Sequence, residues 1–134
     1  MTRCVLDTDV VIAALETRDA HHSQAKAILT DLIEADVERL ISTINYAEAL
    51  VRPAGDDQEL RMAVDAIQTL GIEVVAPTPA MARDAARLRG SNISLADGFA
   101  LATARASKAA VASFDRRVQR ALERAGLELA PGLR

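Results

Sequence analysis

The stretch Cys4-Val5-Leu6-Asp7-Thr8-Asp9-Val10 runs from a short apolar segment into a carboxylate and then at once into a helical stretch, Val10 to Leu15. The same design returns near the other end, where Ala110-Val111-Ala112-Ser113-Phe114 runs into Asp115 and a helical stretch, Arg116 to Ala125. Two further strand candidates, Leu40-Ile41-Ser42 and Glu73-Val74-Val75-Ala76, lie among helical stretches at His22 to Ala35, Tyr46 to Val51, Gln58 to Leu70, Ala80 to Arg89 and Leu95 to Ser107. Leu127-Glu128-Leu129 offers a fifth strand. In the Gln58 to Leu70 stretch, Leu60, Val64, Ile67 and Leu70 recur at helical spacing with charges on the other side. Pro53 to Gly55, Gly71, Gly90 and Gly126 supply stop signals. Short strands alternating with helices are the pattern of an α/β fold, a parallel sheet covered by helices. Ligands of such sheets bind outside the carboxyl ends of the strands. Asp7 and Asp115 both stand at such ends.

With 134 residues the chain has the size of one domain, read as residues 1–134 around one sizeable core. Aromatics make up only 2%, so Ala, Val, Leu and Ile must fill that core, which suits helices packed closely on a sheet. No run approaches the roughly 18 apolar residues of a membrane helix, and no basic segment followed by an apolar stretch opens the chain. A cytoplasmic protein without membrane contact is therefore expected. The single cysteine, Cys4, has no internal disulfide partner and reads as a small buried strand residue. A net charge of −3 argues against a broadly basic surface for nucleic acid, so any such contact is local. Two arginine clusters, Arg83, Arg87 and Arg89, then Arg116, Arg117, Arg120 and Arg124, read either as solvated helix faces or as such local contacts.

Most acidic residues lie among other charges, but Glu48 and Asp97 do not. Each is the only charge in a seven-residue apolar window, Asn45 to Val51 and Ser94 to Ala100. The helix from Leu95 to Ala104 carries Leu, Ala or Phe on nearly every side and is expected to be largely buried. A carboxylate there needs a partner, because desolvating an unpaired charge costs several kcal/mol. Neither window holds a basic residue, so a metal ion is a natural partner. Hard Mg²⁺ or Mn²⁺ suits an all-carboxylate site without histidine.

Plainer explanations exist for each acid. Asn45-x-x-Glu48 and Ser94-x-x-Asp97 both read as helix capping boxes; Asp9 or Asp115 reads as an N-cap; Asp7 can end a strand for turn chemistry. His21 and His22 stand at a helix start, where a surface or capping role is expected. Tyr46 reads as a core residue beside Glu48.

The chain as a whole resembles a PIN domain, in particular the VapC toxins of bacterial toxin–antitoxin pairs. The resemblance covers roughly residues 3 to 130. It rests on the strand entering Asp7-Thr8, the Ser/Thr-rich turn before a helix carrying Glu48-Ala-Leu, the Leu95-Ala-Asp97 helix with small residues behind it, and the Ser113-Phe-Asp115 strand end. It implies a three-layer α/β fold with a short, mostly parallel sheet of four to five strands flanked by about seven helices. It implies an Mg²⁺- or Mn²⁺-dependent endoribonuclease that leaves a 5′-phosphate and a 3′-hydroxyl. A VapB-like antitoxin partner and a homodimer are also implied.

In such a site Asp7, Asp97 and Asp115 would hold one or two metal ions, and Glu48 would add a ligand or position the attacking water. Thr8, Asp9 and Ser113 would stand behind them, and Arg116 and Arg117 would hold substrate phosphate. Many relatives have Ser or Thr in place of Asp9 and Thr in place of Ser113. Asp9 is therefore read two ways, as the cap of the following helix or as an added carboxylate behind the ligands.

Two other readings stay open at the level of sequence. Asp7-Thr8-Asp9 also resembles the strand-end Asp-x-Asp of haloacid-dehalogenase-type phosphatases, but the late paired acids of that family are missing after Lys108. A non-catalytic binding module, its acids serving as caps, is the second.

Overall fold

Four apolar runs, each only three to five residues long, pair side by side in a computed structural model that describes residues 1–133. They are β1 (Arg3–Leu6), β2 (Glu38–Ser42), β3 (Ile72–Val75) and β4 (Ala110–Ala112). Every pairing is parallel and the order is β3-β2-β1-β4, with Val5 opposite both Leu40 and Val111. Among the described residues six helices connect them, α1 (Thr8–Leu15), α2 (His22–Glu34), α3 (Thr43–Leu50), α4 (Asp57–Thr69), α5 (Pro79–Leu88) and α6 (Leu95–Ser107), and a seventh, α7 (Arg116–Arg124), follows β4.

Successive strand side chains point to opposite faces, and both faces are apolar here. Cys4, Leu6, Ile41, Ile72 and Ala112 pack with Val10 and Val11 of α1, Ile28 and Leu29 of α2 and Ile67 of α4. Val5, Leu40 and Val111 pack on the other side with Met81 and Ala85 of α5, Leu101 of α6 and Val118 and Leu122 of α7. Helices thus cover both faces, giving the expected three layers, and a parallel sheet requires that cover. Cys4 is fully buried and its thiol is pushed up to about 12 by burial, so it is a packing residue. Among the described residues no helix is long and apolar enough to cross a membrane.

Several boundaries differ from the sequence reading, each for a local reason. α1 begins at Thr8 because Asp7 caps it, accepting from the Thr8 amide at 2.9 Å. α3 begins at Thr43 because Ser42, not Asn45, is its cap. β4 stops at Ala112: the Phe114 amide, which a longer strand would commit to the ladder, donates to Asp9 instead. The fifth strand reduces to one parallel bridge between Val111 and Leu129. Gly71 turns from α4 into β3 at a φ of 67°, as its position suggested, but the chain after α2 and after α6 enters the same left-handed region at Asp36 and Lys108, with no glycine to mark it.

Small residues let α6 lie close against α5. A Cβ built on Gly98 would stand 2.6 Å from the Ala85 carbonyl oxygen, which belongs to the backbone and cannot swing aside. Gly98→Ala is therefore expected to destabilise the fold by about 1–3 kcal/mol, the usual range for overpacking. Urea unfolding of the two proteins checks this, and equal midpoints would show that α5 yields freely.

Candidate functional site

The strand order places β1 and β4 side by side, so their carboxyl ends, and the helix starts that follow, share one edge of the sheet. Asp7 leaves β1 at this edge, with its amide donating to the Ala112 carbonyl at 2.9 Å. Its side chain is only 2% exposed. One carboxylate oxygen takes the Thr8 amide and the other takes the Ser113 hydroxyl at 2.8 Å. The same hydroxyl accepts from the Asp115 amide at 3.2 Å, so buried Ser113 holds the ends of both strands in one arrangement.

Asp115 caps α7, accepting from the Arg117 amide at 2.8 Å and lying 3.5 Å from the Arg117 guanidinium. Asp97 enters from α6, half-buried, in the capping box that its spacing suggested: it accepts from the Ser94 amide while its own amide donates to the Ser94 hydroxyl. Asp9 is not a cap. It sits in the first turn of α1 and accepts the Phe114 amide at 3.0 Å through one oxygen, while the other is buried with no hydrogen-bond partner among the described residues.

Glu48 departs from the sequence reading in two ways: it is exposed, and it makes no capping box. Its Oε1 instead accepts the Thr8 hydroxyl at 2.7 Å. That hydroxyl in turn accepts from the Asn45 amide nitrogen at 3.0 Å. Asn45 is the residue that sequence reasoning passed over. Fully buried, it also donates to the Ala96 carbonyl next to Asp97 and accepts from the Ser42 hydroxyl. One side chain thus ties α3, α1 and α6 together behind the acids. The available signal was a lone amide in an apolar window, and its role was hidden by the plausible Asn45-x-x-Glu48 spacing.

Burial and like charge dominate the electrostatics. Burial, followed by the neighbouring Asp9 and Asp97 charges, raises Asp7 to about 7 against the opposing hydrogen bonds of Ser113 and Thr8. Asp9 rises to about 6, again chiefly by burial, with the Phe114 and Val10 amides pulling it down and Asp115 and Asp97 pushing it up. For Asp115 burial works in the same upward direction, but the hydrogen bonds and charge of Arg117 outweigh it and hold it below the usual carboxylate range. Asp9 and Asp97 therefore act on Asp7, and Asp115 and Asp97 on Asp9. Glu48 joins them through Thr8, the residue next to Asp7.

The remaining candidates fall outside this cluster. The exception is Arg117, exposed yet paired with Asp115; Arg116, also exposed, borders a cavity of ≈ 630 Å³ between α7 and residues 127–129. Arg83, Arg87 and Arg89 lie exposed on and just after α5. His22 braces the start of α2 through its ring nitrogen on the Ala13 carbonyl at 2.7 Å. His21 makes no side-chain cap; its ring stacks on Phe114. Tyr46 is half-buried against the core, as expected.

Among the described residues no three acidic, histidine or cysteine side chains stand close enough to hold one ion as they lie. The donor set nevertheless suits a hard cation. All its atoms are oxygens, one buried oxygen of Asp9 has no hydrogen-bond partner among the described residues, and burial with like charges resists the ionisation of Asp7 and Asp9 that a cation would favour. A divalent ion drawing these carboxylates together would balance their charge.

No curated protein sequence matches the chain. Solved structures do. VapC20 of Mycobacterium tuberculosis, a toxin that cleaves the sarcin–ricin loop, is 17% identical with a TM-score of 0.70, over 88% of this chain and 94% of its own. FitAcB of Neisseria gonorrhoeae is 21% identical at a TM-score of 0.70, over 96% of this chain and 97% of its own. VapBC2 of Rickettsia felis, bound to a DNA fragment from its promoter, is 16% identical at 0.74, over 95% and 96%. Likeness at these identities establishes a common fold. The PIN domain family model matches residues 4–124, nearly the whole span from the first strand to the last helix, and the chain belongs to the PIN domain family.

Proposed function

We propose that this chain is an Mg²⁺- or Mn²⁺-dependent endoribonuclease and the toxin of a toxin–antitoxin pair, a single domain over residues 1–134 acting on RNA in the cytoplasm. The observation that carries the reading is electrostatic: beyond burial, Asp7 is raised by the charges of Asp9 and Asp97, and Asp9 by those of Asp115 and Asp97, while Glu48 accepts from Thr8 beside Asp7. Membership of the PIN family supports it and leaves the phosphatase reading without support. A VapB-like antitoxin and a homodimer are proposed as partners, since several similar structures are toxin–antitoxin complexes.

Asp7, Asp97 and Asp115 are the proposed metal ligands, with Glu48 either completing the set or orienting the attacking water. When bound, a divalent ion lowers the pKa of water and neutralises charge on the phosphate and the leaving oxygen. The chain's own residues do the positioning. Ser113 aims Asp7 and, through the Asp115 amide, fixes the turn that carries Asp115. Asn45 and Thr8 hold Glu48 at the edge of the cluster. Arg117 offsets part of the charge of Asp115 and, with Arg116, is the proposed contact for substrate phosphate.

Wild-type protein is expected to cut total RNA in Mg²⁺ or Mn²⁺, and Asp7→Asn and Asp97→Asn to lower the rate by at least about 100-fold. Gel analysis of the products decides the matter: variants that cut as fast as wild type would show the site to be elsewhere. Thr8→Val removes the hydroxyl that holds Glu48 and is expected to weaken Mn²⁺ binding by about 10–100-fold in calorimetry, with the fold intact. Unchanged affinity would mean that Glu48 needs no such support.

The raised acids also set a pH dependence. Asp7 and Asp9 titrate near 7 and 6 when folded against 3.8 otherwise, so the folded chain binds more protons than the unfolded one between about pH 4 and 7. Stability without metal should therefore be greatest at the acid end of that window and fall as pH rises through it. Mn²⁺ competes with those protons and should raise the melting temperature more at about pH 8 than at about pH 5. Melting curves in chelator that rise over this interval would contradict the assignment.

A further inference from the structure

We propose that the stacked rings of His21 and Phe114 form a platform on which a base of single-stranded RNA lies beside the acidic cluster. The two rings are nearly parallel, 14° apart in plane, with centroids separated by 4.5 Å. Phe114 is half-buried and packs on the core, so His21 is the outer ring of the pair. The His21 side chain is 53% exposed, so part of the outer ring is accessible to solvent, and its Nδ1 lies 3.9 Å from the Asp19 carboxylate.

The position of the pair gives it meaning. Phe114 lies between Ser113, which holds Asp7, and Asp115, and its amide is bound by Asp9, so its ring is tethered within one residue of the acids. The loop that carries His21 also reaches the residue joined to Thr8, Glu48. Arg18 and Asp19 of that loop share a cavity of ≈ 410 Å³ with Glu48. The loop is also braced: the His21 amide donates to Asp19 at 2.8 Å, and the His22 ring pairs with the Ala13 carbonyl. A ring held in advance in this way loses little freedom when a ligand stacks on it.

Chemistry selects the occupant. Histidine and phenylalanine rings stack on unpaired bases, and every base offers a π face. A phosphate backbone brought to five acids on a chain of net charge −3 meets repulsion. Affinity from uncharged stacking avoids that repulsion and holds a flanking base while the scissile phosphate reaches the carboxylates. The choice of RNA as occupant rests on the nuclease reading above; the geometry of the stack does not.

Binding of a short single-stranded RNA carrying 2-aminopurine, measured in Ca²⁺, tests the platform, with cleavage in Mn²⁺ as a second readout. Wild type should quench the probe. His21→Ala and His21→Lys should weaken binding by about tenfold and abolish the quench, whereas His21→Tyr should retain both. In cleavage, His21→Ala should raise KM by a similar factor with kcat unchanged. Equal binding by wild type and His21→Ala, or rescue by His21→Lys, would overturn the platform, the latter by showing that charge rather than stacking matters. The same holds if wild type binds no RNA, which would leave a partner protein as the occupant of the stack. Cleavage that His21→Ala leaves untouched would sink the platform alone. A quench that depends on the ring at position 21, without cleavage, would sink the nuclease reading and leave the platform standing.

Discussion

The Asp7 carboxylate lies buried where β1, β4 and α1 meet, and the surrounding residues are arranged around the cost of keeping it there. Removing one ionised carboxylate from water costs several kcal/mol. Hydrogen bonds to a charged group return about 1.5–3 kcal/mol each, so the Thr8 amide and the Ser113 hydroxyl together come close to offsetting that cost. Burial remains the largest influence on Asp7, and the like charges of Asp9 and Asp97 add to it. Two such charges about 4 Å apart repel by about 4 kcal/mol at an effective dielectric of 20, and Asp7 holds its proton up to about 7. Acids kept from ionising chiefly by burial, and further by one another, make a poor structural device and a good receptor for a cation.

The site is balanced unevenly. On the β1 side the charge is suppressed by burial, in Asp7 and Asp9; on the β4 side Asp115 stays ionised because Arg117 compensates it. Between them Ser113 serves both ends, as donor to one aspartate and acceptor from the backbone of the other. Asn45 does similar work on the far side, linking the helices that carry Glu48 and Asp97 through a buried amide. Rigid placement of this kind matters because a carboxylate on a long side chain, such as Glu48, otherwise samples many rotamers.

Periodicity made most of the fold legible. The runs at Cys4 to Leu6 and Ala110 to Ala112 are apolar throughout because both faces of a parallel sheet are covered, and α4 repeats its apolar residues at helical spacing. Boundaries were legible where local chemistry sets them, as with the Ser94 capping box and the turn at Gly71. They were not legible where a distant partner sets them. Phe114 left its strand for Asp9, more than a hundred residues away in the chain, and Asp36 and Lys108 adopt left-handed turns that no glycine announces.

By itself the sequence determined which residues are acids in apolar company, where strands run into them, and that their order along the chain matches a PIN domain, since these follow from residue type and short-range spacing. Only the tertiary structure decided what each acid touches. It exposed Glu48 despite its apolar window, ruled out the helix cap of the two readings of Asp9, replaced Asn45 as a cap by Asn45 as a buried link, and laid His21 on Phe114. The reason is physical. Hydrogen bonds and like-charge contacts act over a few ångströms in space, and the strand order β3-β2-β1-β4, absent from any local pattern, sets which distant residues come within that range.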